Sequence, residues 1–124
     1  MACAEALTGY LLDKPVQLVA KAFSAGGGVD VGAAVNRRPD LFRGVVLTNA
    51  FLDVEATMQN QSLHLTQHEW EEYGNPLEDS LAAESIASYC PVANVNDDGS
   101  GLLPKFLLVG TLDDRKVPVW NYVV

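Results

Sequence analysis

Three short apolar runs stand out along the chain: QLVAKAF at 17–23, GVVLTN at 44–49 and KFLLVG at 105–110. Each suits a buried strand. Between them the pattern turns helical. Ala, Glu and Leu favour a helix over 1–12, which Asp13-Lys14-Pro15 ends. Residues 29–36 are small and helical in character until Arg37-Arg38-Pro39 breaks the run, because proline removes a donor and restricts its predecessor. A helix fits 53–59 with Asp53 near its N-terminus, and a stronger one fits 78–89, stopped by Pro91. The polar, aromatic stretch 59–76 has weak periodicity and reads as irregular, with a short helix near 68–72. Loops take 94–101 (NVNDDGSG) and 113–118, and a further helix would begin over 120–124. Short apolar strands alternating with helices predict an α/β fold with a parallel sheet and flanking helices, in a single domain over 1–124. Three strands make a narrow parallel sheet whose outer N–H and C=O groups stay open to pairing, so strands are expected to be missing at both ends.

Composition narrows the function. At 124 residues the chain can bury one modest core, and 48% apolar with 19% charged residues is globular composition, not disorder. No apolar run nears the roughly 18 residues needed to cross a bilayer. The N-terminus lacks the basic and apolar regions of a secretory signal. A net charge of −8 disfavours nucleic acid and anionic membrane as partners. Cys3 and Cys90 make no disulfide framework, which fits a reducing, cytoplasmic setting. His64 and His68 are four residues apart without a further ligand pattern, so they read as exposed polar residues, and neither a metal nor a cofactor is expected.

The sharpest local signal is the 17–23 strand, then Ser24-Ala25-Gly26-Gly27, then a helix of small residues. This is the setting of a nucleophile elbow, a strand-to-helix turn so tight that its neighbours must be small. It lifts a serine hydroxyl to the C-terminal edge of a sheet, where open α/β folds bind substrates. The N–H of Ala25, at a helix N-terminus, would face a developing oxyanion. The match to GxSxG is incomplete, because Ala22 stands two before the serine. A glycine-rich loop that binds phosphate or simply turns is the other reading, though neither GxGxxG nor GK[ST] is present.

Several blocks agree in order and separation with one family. They are Phe23-Ser-Ala-Gly-Gly, Asn36-Arg-Arg-Pro-Asp-Leu-Phe, Phe51-Leu-Asp-Val with Thr57-Met58, Leu65-Thr66 leading to Glu71-Glu-Tyr-Gly-Asn-Pro, Tyr89-Cys-Pro, and Asp114-Arg-Lys-Val-Pro. Through them the chain resembles the prolyl oligopeptidase family of serine peptidases, with its oligopeptidase B and prolyl endopeptidase-like branches. The resemblance implies a partial α/β-hydrolase fold and a serine hydrolase. Ser24 would attack a carbonyl carbon and form an acyl-enzyme on a short peptide or ester. It implies Asp114 as the acid of the triad, in the pattern Asp-x-x-Val-Pro, with Asp113 as fallback; without the family, both would read as a solvated turn. It implies Glu69 and Glu71 as carboxylates that receive a basic side chain beside the scissile bond. A solvated acidic helix turn is the competing reading of that cluster.

The family's catalytic histidine follows the Asp by a few dozen residues, and here only ten residues follow Asp114. His64 and His68 precede it, the wrong side in chain order. The family's N-terminal β-propeller and the first strands of the sheet are likewise expected elsewhere in a full-length protein. Gly28 looks like an extra residue after the Gly pair, and Asp30 puts a charge where apolar residues usually pack, at a cost if buried unpaired. The segment alone is therefore expected to be inactive and to aggregate. The readings left open are a peptidase fragment, an esterase or thioesterase of the prolyl endopeptidase-like type, and a non-catalytic remnant.

Overall fold

Val45 and Leu47 lie on one face of strand β2 (Phe42–Thr48), and both are buried. The structure is a computed structural model that describes residues 18–95 and 103–122, with Ala6. The helix expected over 1–12 (Ala6 apart), Cys3, and most of the 94–101 loop lie outside the described residues. In the described part, β2 is the centre of a three-stranded sheet with β1 (Leu18–Phe23) on one side and β3 (Lys105–Val109) on the other. Both pairings are parallel, and Phe23, Thr48 and Val109 come level across the sheet. The C-terminal ends of all three strands thus open onto one edge, where this fold class places its chemistry.

The parallel pairing forces crossovers, and helices supply them. Helix α1 (Ala25–Arg37) links β1 to β2; helices α2 (Val54–Gln59), α3 (Thr66–Tyr73) and α4 (Ser80–Tyr89) lie between β2 and β3. On α1 the buried positions are Gly28, Val29, Gly32 and Val35, spaced as one helical face. That face packs on Ala22, Val45 and Leu47 to one side and on Phe51, Met58 and Ile86 to the other, giving two adjoining clusters. The N-terminal place expected for Asp53 holds, its side chain accepting from the Ala56 N–H, and a second cap is Asp79, which accepts from the Leu81 N–H. The second cap starts α4 at Ser80, two residues later than the periodicity predicts.

The opposite face of β1 and the whole of β3 are open, while on β2 Gly44, Val46 and Thr48 are half-buried. Val19 and Phe23 on β1 are 63% and 65% exposed, and all five residues of β3 are exposed. These are the faces and edges that a parallel sheet normally buries, as a partial α/β-hydrolase fold leaves them.

The two departures around α1 resolve in structural terms. The helix begins at Ala25, so the three glycines form its first turn, and it runs unbroken to Arg37. A Cβ on Gly28 would stand 2.7 Å from the Phe51 nitrogen and 3.1 Å from the Ala50 Cβ. The extra glycine is thus the point where the chain leaving β2 crosses α1 at backbone contact. Asp30 is exposed, so the burial cost feared for its charge does not arise. Gly28→Ala in the full-length protein should cost about 1–3 kcal/mol of stability, because the obstacle is backbone and cannot swing aside. Gly26→Ala should be neutral or stabilising, since nothing lies within 4 Å of its Cβ site. Urea denaturation of the two variants checks this, and equal loss at both sites would contradict it.

Candidate active site

Ser24 sits between β1 and α1 with φ 55 and ψ −152. That region of backbone space is nearly reserved for glycine, and a side chain held there costs about 1–3 kcal/mol. Three hydrogen bonds impose it. The Ser24 N–H donates to the Thr48 carbonyl (3.0 Å), and the Ser24 carbonyl accepts from Gly28 (3.0 Å) and Phe51 (3.3 Å). The Ser24 hydroxyl makes no capping bond to its own helix. Because Gly28 is the first residue to close a helical bond onto Ser24, the N–H groups of Ala25, Gly26 and Gly27 have no intrahelical partner.

The missing first glycine of GxSxG also has its reason. A Cβ on Gly27 would stand 3.0 Å from the Ala22 Cβ. The methyl group of Ala22 occupies space that Gly27 vacates, so smallness is conserved across the pair.

Ser24 and Ala25 open onto a cavity of about 70 Å³. Its other walls are Phe51, Thr57, Met58, Leu63, Leu65, Thr66, Glu69, Lys116 and Val117. Helix α3 is pinned above α2 by two side chains one turn apart: the Thr66 hydroxyl donates to the Thr57 carbonyl (3.0 Å), and the Trp70 indole N–H donates to the Met58 carbonyl (3.0 Å). That pair of anchors turns the intervening Glu69 to the cavity. Glu71 lies two residues on, roughly 200° around the helix; it is exposed and is not among the described residues lining the cavity.

Asp114 lies in the loop after β3. Its Oδ1 accepts from the N–H groups of Lys116 (2.8 Å) and Val117 (3.1 Å), which fixes the carboxylate's orientation. The same turn delivers Lys116 and Val117 to the Ser24 cavity. Asp113 is exposed; it and Asp114 line an adjoining cavity of about 390 Å³ with His64, Arg115 and Trp120. His68 is exposed on α3. Among the described residues, no cluster of three His, Cys, Asp or Glu could hold a metal ion, and no helix is long and apolar enough to cross a membrane.

Two asparagines that the sequence did not single out hold this edge together. Buried Asn121 accepts through Oδ1 from the N–H groups of Leu52 (3.0 Å) and Asp53 (2.8 Å), while its amide donates to the Pro118 carbonyl. Asn49, at φ 43, accepts from the Thr111 N–H (3.1 Å). Both tie the loop after β3 to the loop after β2. No periodicity or spacing flags them, because each acts through backbone groups distant in sequence.

The whole chain matches one protein family, the prolyl oligopeptidase family, over residues 1–123. The chain belongs to this family. It is 42% identical over 117 residues to a prolyl endopeptidase-like protein of Xenopus laevis, covering 94% of this chain. Among solved structures, oligopeptidase B from Trypanosoma brucei, with covalently bound antipain, superposes with a TM-score of 0.86 at 39% identity over 98% of this chain. Oligopeptidase B from Leishmania major gives the same TM-score of 0.86 at 36% identity, again over 98% of the chain. The chain spans 16% of the length of each of these proteins. As a member of a serine peptidase family it shares the parallel sheet and flanking helices of the prolyl oligopeptidase catalytic domain.

Beside the cavity, burial pushes the Tyr73 phenol up to about 12, helped by the negative charges of Glu72 and Glu69. Its folded value lies above the ordinary value of 10.0, so its contribution to stability is complete below pH 10 and is lost as pH rises towards 12. A tyrosinate absorbance titration of the full-length protein should show one phenol ionising late in that window and absent from Tyr73→Phe. A Tyr73→Phe titration identical to the parent would contradict it.

Proposed function

We propose that this segment carries the nucleophile and the acid of a serine hydrolase that cleaves short peptides next to basic residues through an acyl-enzyme. The observation that carries the reading is Ser24 at φ 55, held by three backbone bonds at the sheet edge and opening onto a cavity shared with Glu69. Ser24 Oγ attacks the carbonyl carbon, and the tetrahedral oxyanion is received by the unpaired Ala25 N–H. Asp114, with Oδ1 committed to the turn, offers Oδ2 to a histidine imidazole supplied by the longer protein. That histidine takes the proton from Ser24 and returns it to the leaving group. Glu69 attracts the basic side chain, and Glu71 adds negative charge from the exposed side of α3. The full-length protein also contains a β-propeller and works in the cytoplasm. The segment by itself, with His64 and His68 as its histidines, does not turn over.

A second reading is hydrolysis of esters or thioesters. It is the activity that the resemblance to the prolyl endopeptidase-like branch implies. Both readings use the same serine, so they part on substrate alone.

In the full-length protein, Ser24→Ala should lower kcat by about 10⁶. Asp114→Asn should lower it by about 10⁴, and Asp113→Asn should leave it unchanged. Retained turnover in Ser24→Ala would end the reading, and the reverse result for the aspartates would move the acid to Asp113. Glu69→Gln should erase the preference for basic over apolar peptides, with a smaller loss in Glu71→Gln. Turnover of esters but no peptide would select the second reading.

A further inference from the structure

In a triad built on Ser24 and Asp114, one imidazole must reach both side chains, so the elbow after β1 and the loop after β3 have to keep a fixed separation. The bonds that connect them form one path. Asp114 Oδ1 accepts from the Val117 N–H (3.1 Å), and Pro118 follows directly. The Pro118 carbonyl accepts from the Asn121 side-chain amide (3.2 Å) and from the Asn121 backbone N–H (3.0 Å). Asn121 Oδ1 then accepts from the N–H groups of Leu52 (3.0 Å) and Asp53 (2.8 Å). Next to Leu52, Phe51 donates its N–H to the Ser24 carbonyl (3.3 Å). Hydrogen bonds and short stretches of backbone thus join the Asp114 carboxylate to the Ser24 backbone, and Asn121 is the side chain in the middle of that path.

Asn121 is fully buried, so bulk water does not compete for these bonds. Two N–H donors on one side and a carbonyl on the other admit a single orientation of its amide. Apolar packing also joins the two loops, since Val117 shares a cluster with Phe51. That contact is non-directional and does not fix register. We propose that Asn121 is a positioning residue for the triad: its amide sets the distance from Asp114 to Ser24, and thereby how closely the carboxylate holds the imidazole. This rests on the reading of Ser24 as nucleophile and Asp114 as acid, and it assigns the part of that geometry which neither residue fixes by itself. A carboxylate beside an imidazolium stabilises the charged form and raises its pKa. A loosened Asp114 therefore lowers both the pKa of the imidazole and its strength as a base. The other charged groups around Asp114 are Asp113, Arg115 and Lys116 on its own loop, with His64 and Glu69 in the two adjoining cavities. Substitution of Asn121 alters none of them.

The test compares kcat and the pH profile of kcat/KM on a nitrophenyl ester in the full-length parent, Asn121→Ala and Asn121→Asp. Active concentration is taken from Ser24 titrated to completion with a phosphonate, so molecules that fail to fold do not count. Asn121→Ala should lower kcat about 100-fold, the scale of a displacement near 1 Å at a reacting group. The acidic limb of its kcat/KM profile, which reports the imidazole of the free enzyme, should move to lower pH by about one pH unit. Asn121→Asp keeps an acceptor for the Leu52 and Asp53 N–H groups, so it should recover most of the lost kcat. Should Asn121→Ala yield no titratable serine, Asn121→Gln, one methylene longer, carries the same expectation. The parent's kcat per titrated serine, or an unmoved acidic limb, would show a purely structural residue and overturn the proposal. An Asn121→Asp enzyme as slow as Asn121→Ala would overturn it too. If the parent takes no phosphonate on Ser24, the hydrolase reading fails and this proposal falls with it, whereas labelling with an unmoved limb sinks the proposal alone.

Discussion

The structure depends on one close approach: the first turn of α1 against the chain that leaves β2. Gly28 lets the backbone of Phe51 come within contact of the helix, and that contact places the Phe51 N–H on the Ser24 carbonyl. With Gly28 bonded to the same carbonyl and Thr48 holding the Ser24 N–H, the serine has no freedom to relax out of φ 55. Strain of this kind persists only where the surroundings over-determine it. The result is a hydroxyl raised above the sheet edge beside a helix N-terminus whose first N–H groups are unspent.

The remaining site elements are placed by bonds that converge on the same edge. Thr66 and Trp70 fasten α3 to the carbonyls at the end of α2, which brings Glu69 to the cavity. Asn121 and Asn49 fasten the loop after β3 to the loop after β2, and the Asp114 turn then carries Lys116 and Val117 to the serine. Charge and shape in the cavity follow from these anchors: one carboxylate, Glu69, among mostly apolar walls.

Much of this was legible in the residues. The three strands lie where their apolar runs predict, although the expected burial fails for β3, which is exposed along its whole length; Asp53 caps as its position suggests, because capping is a local signal. The elbow was readable from Ser24-Ala-Gly-Gly after a strand. What it concealed was compensation: Ala22 for glycine paid back by Gly27, and Gly28 required by a crossing segment more than twenty residues away in sequence. The helix predicted near 68–72 extends over Thr66–Tyr73, and its anchors Thr66 and Trp70 leave no local pattern because they act on the backbone of a different helix. Asn121 carried no signal at all, as a buried side chain that serves distant N–H groups leaves no pattern along the chain.

The central claim is that backbone strain at Ser24 aims its hydroxyl and the Ala25 N–H at one reacting centre. The most direct measurement is a crystal structure of the full-length protein after reaction with a serine-directed phosphonate. The adduct should sit on Ser24 Oγ with Ser24 still at positive φ and with a phosphonyl oxygen accepting from the Ala25 N–H. An adduct on another residue, or a Ser24 relaxed to negative φ with the Ala25 N–H turned away, would contradict the claim.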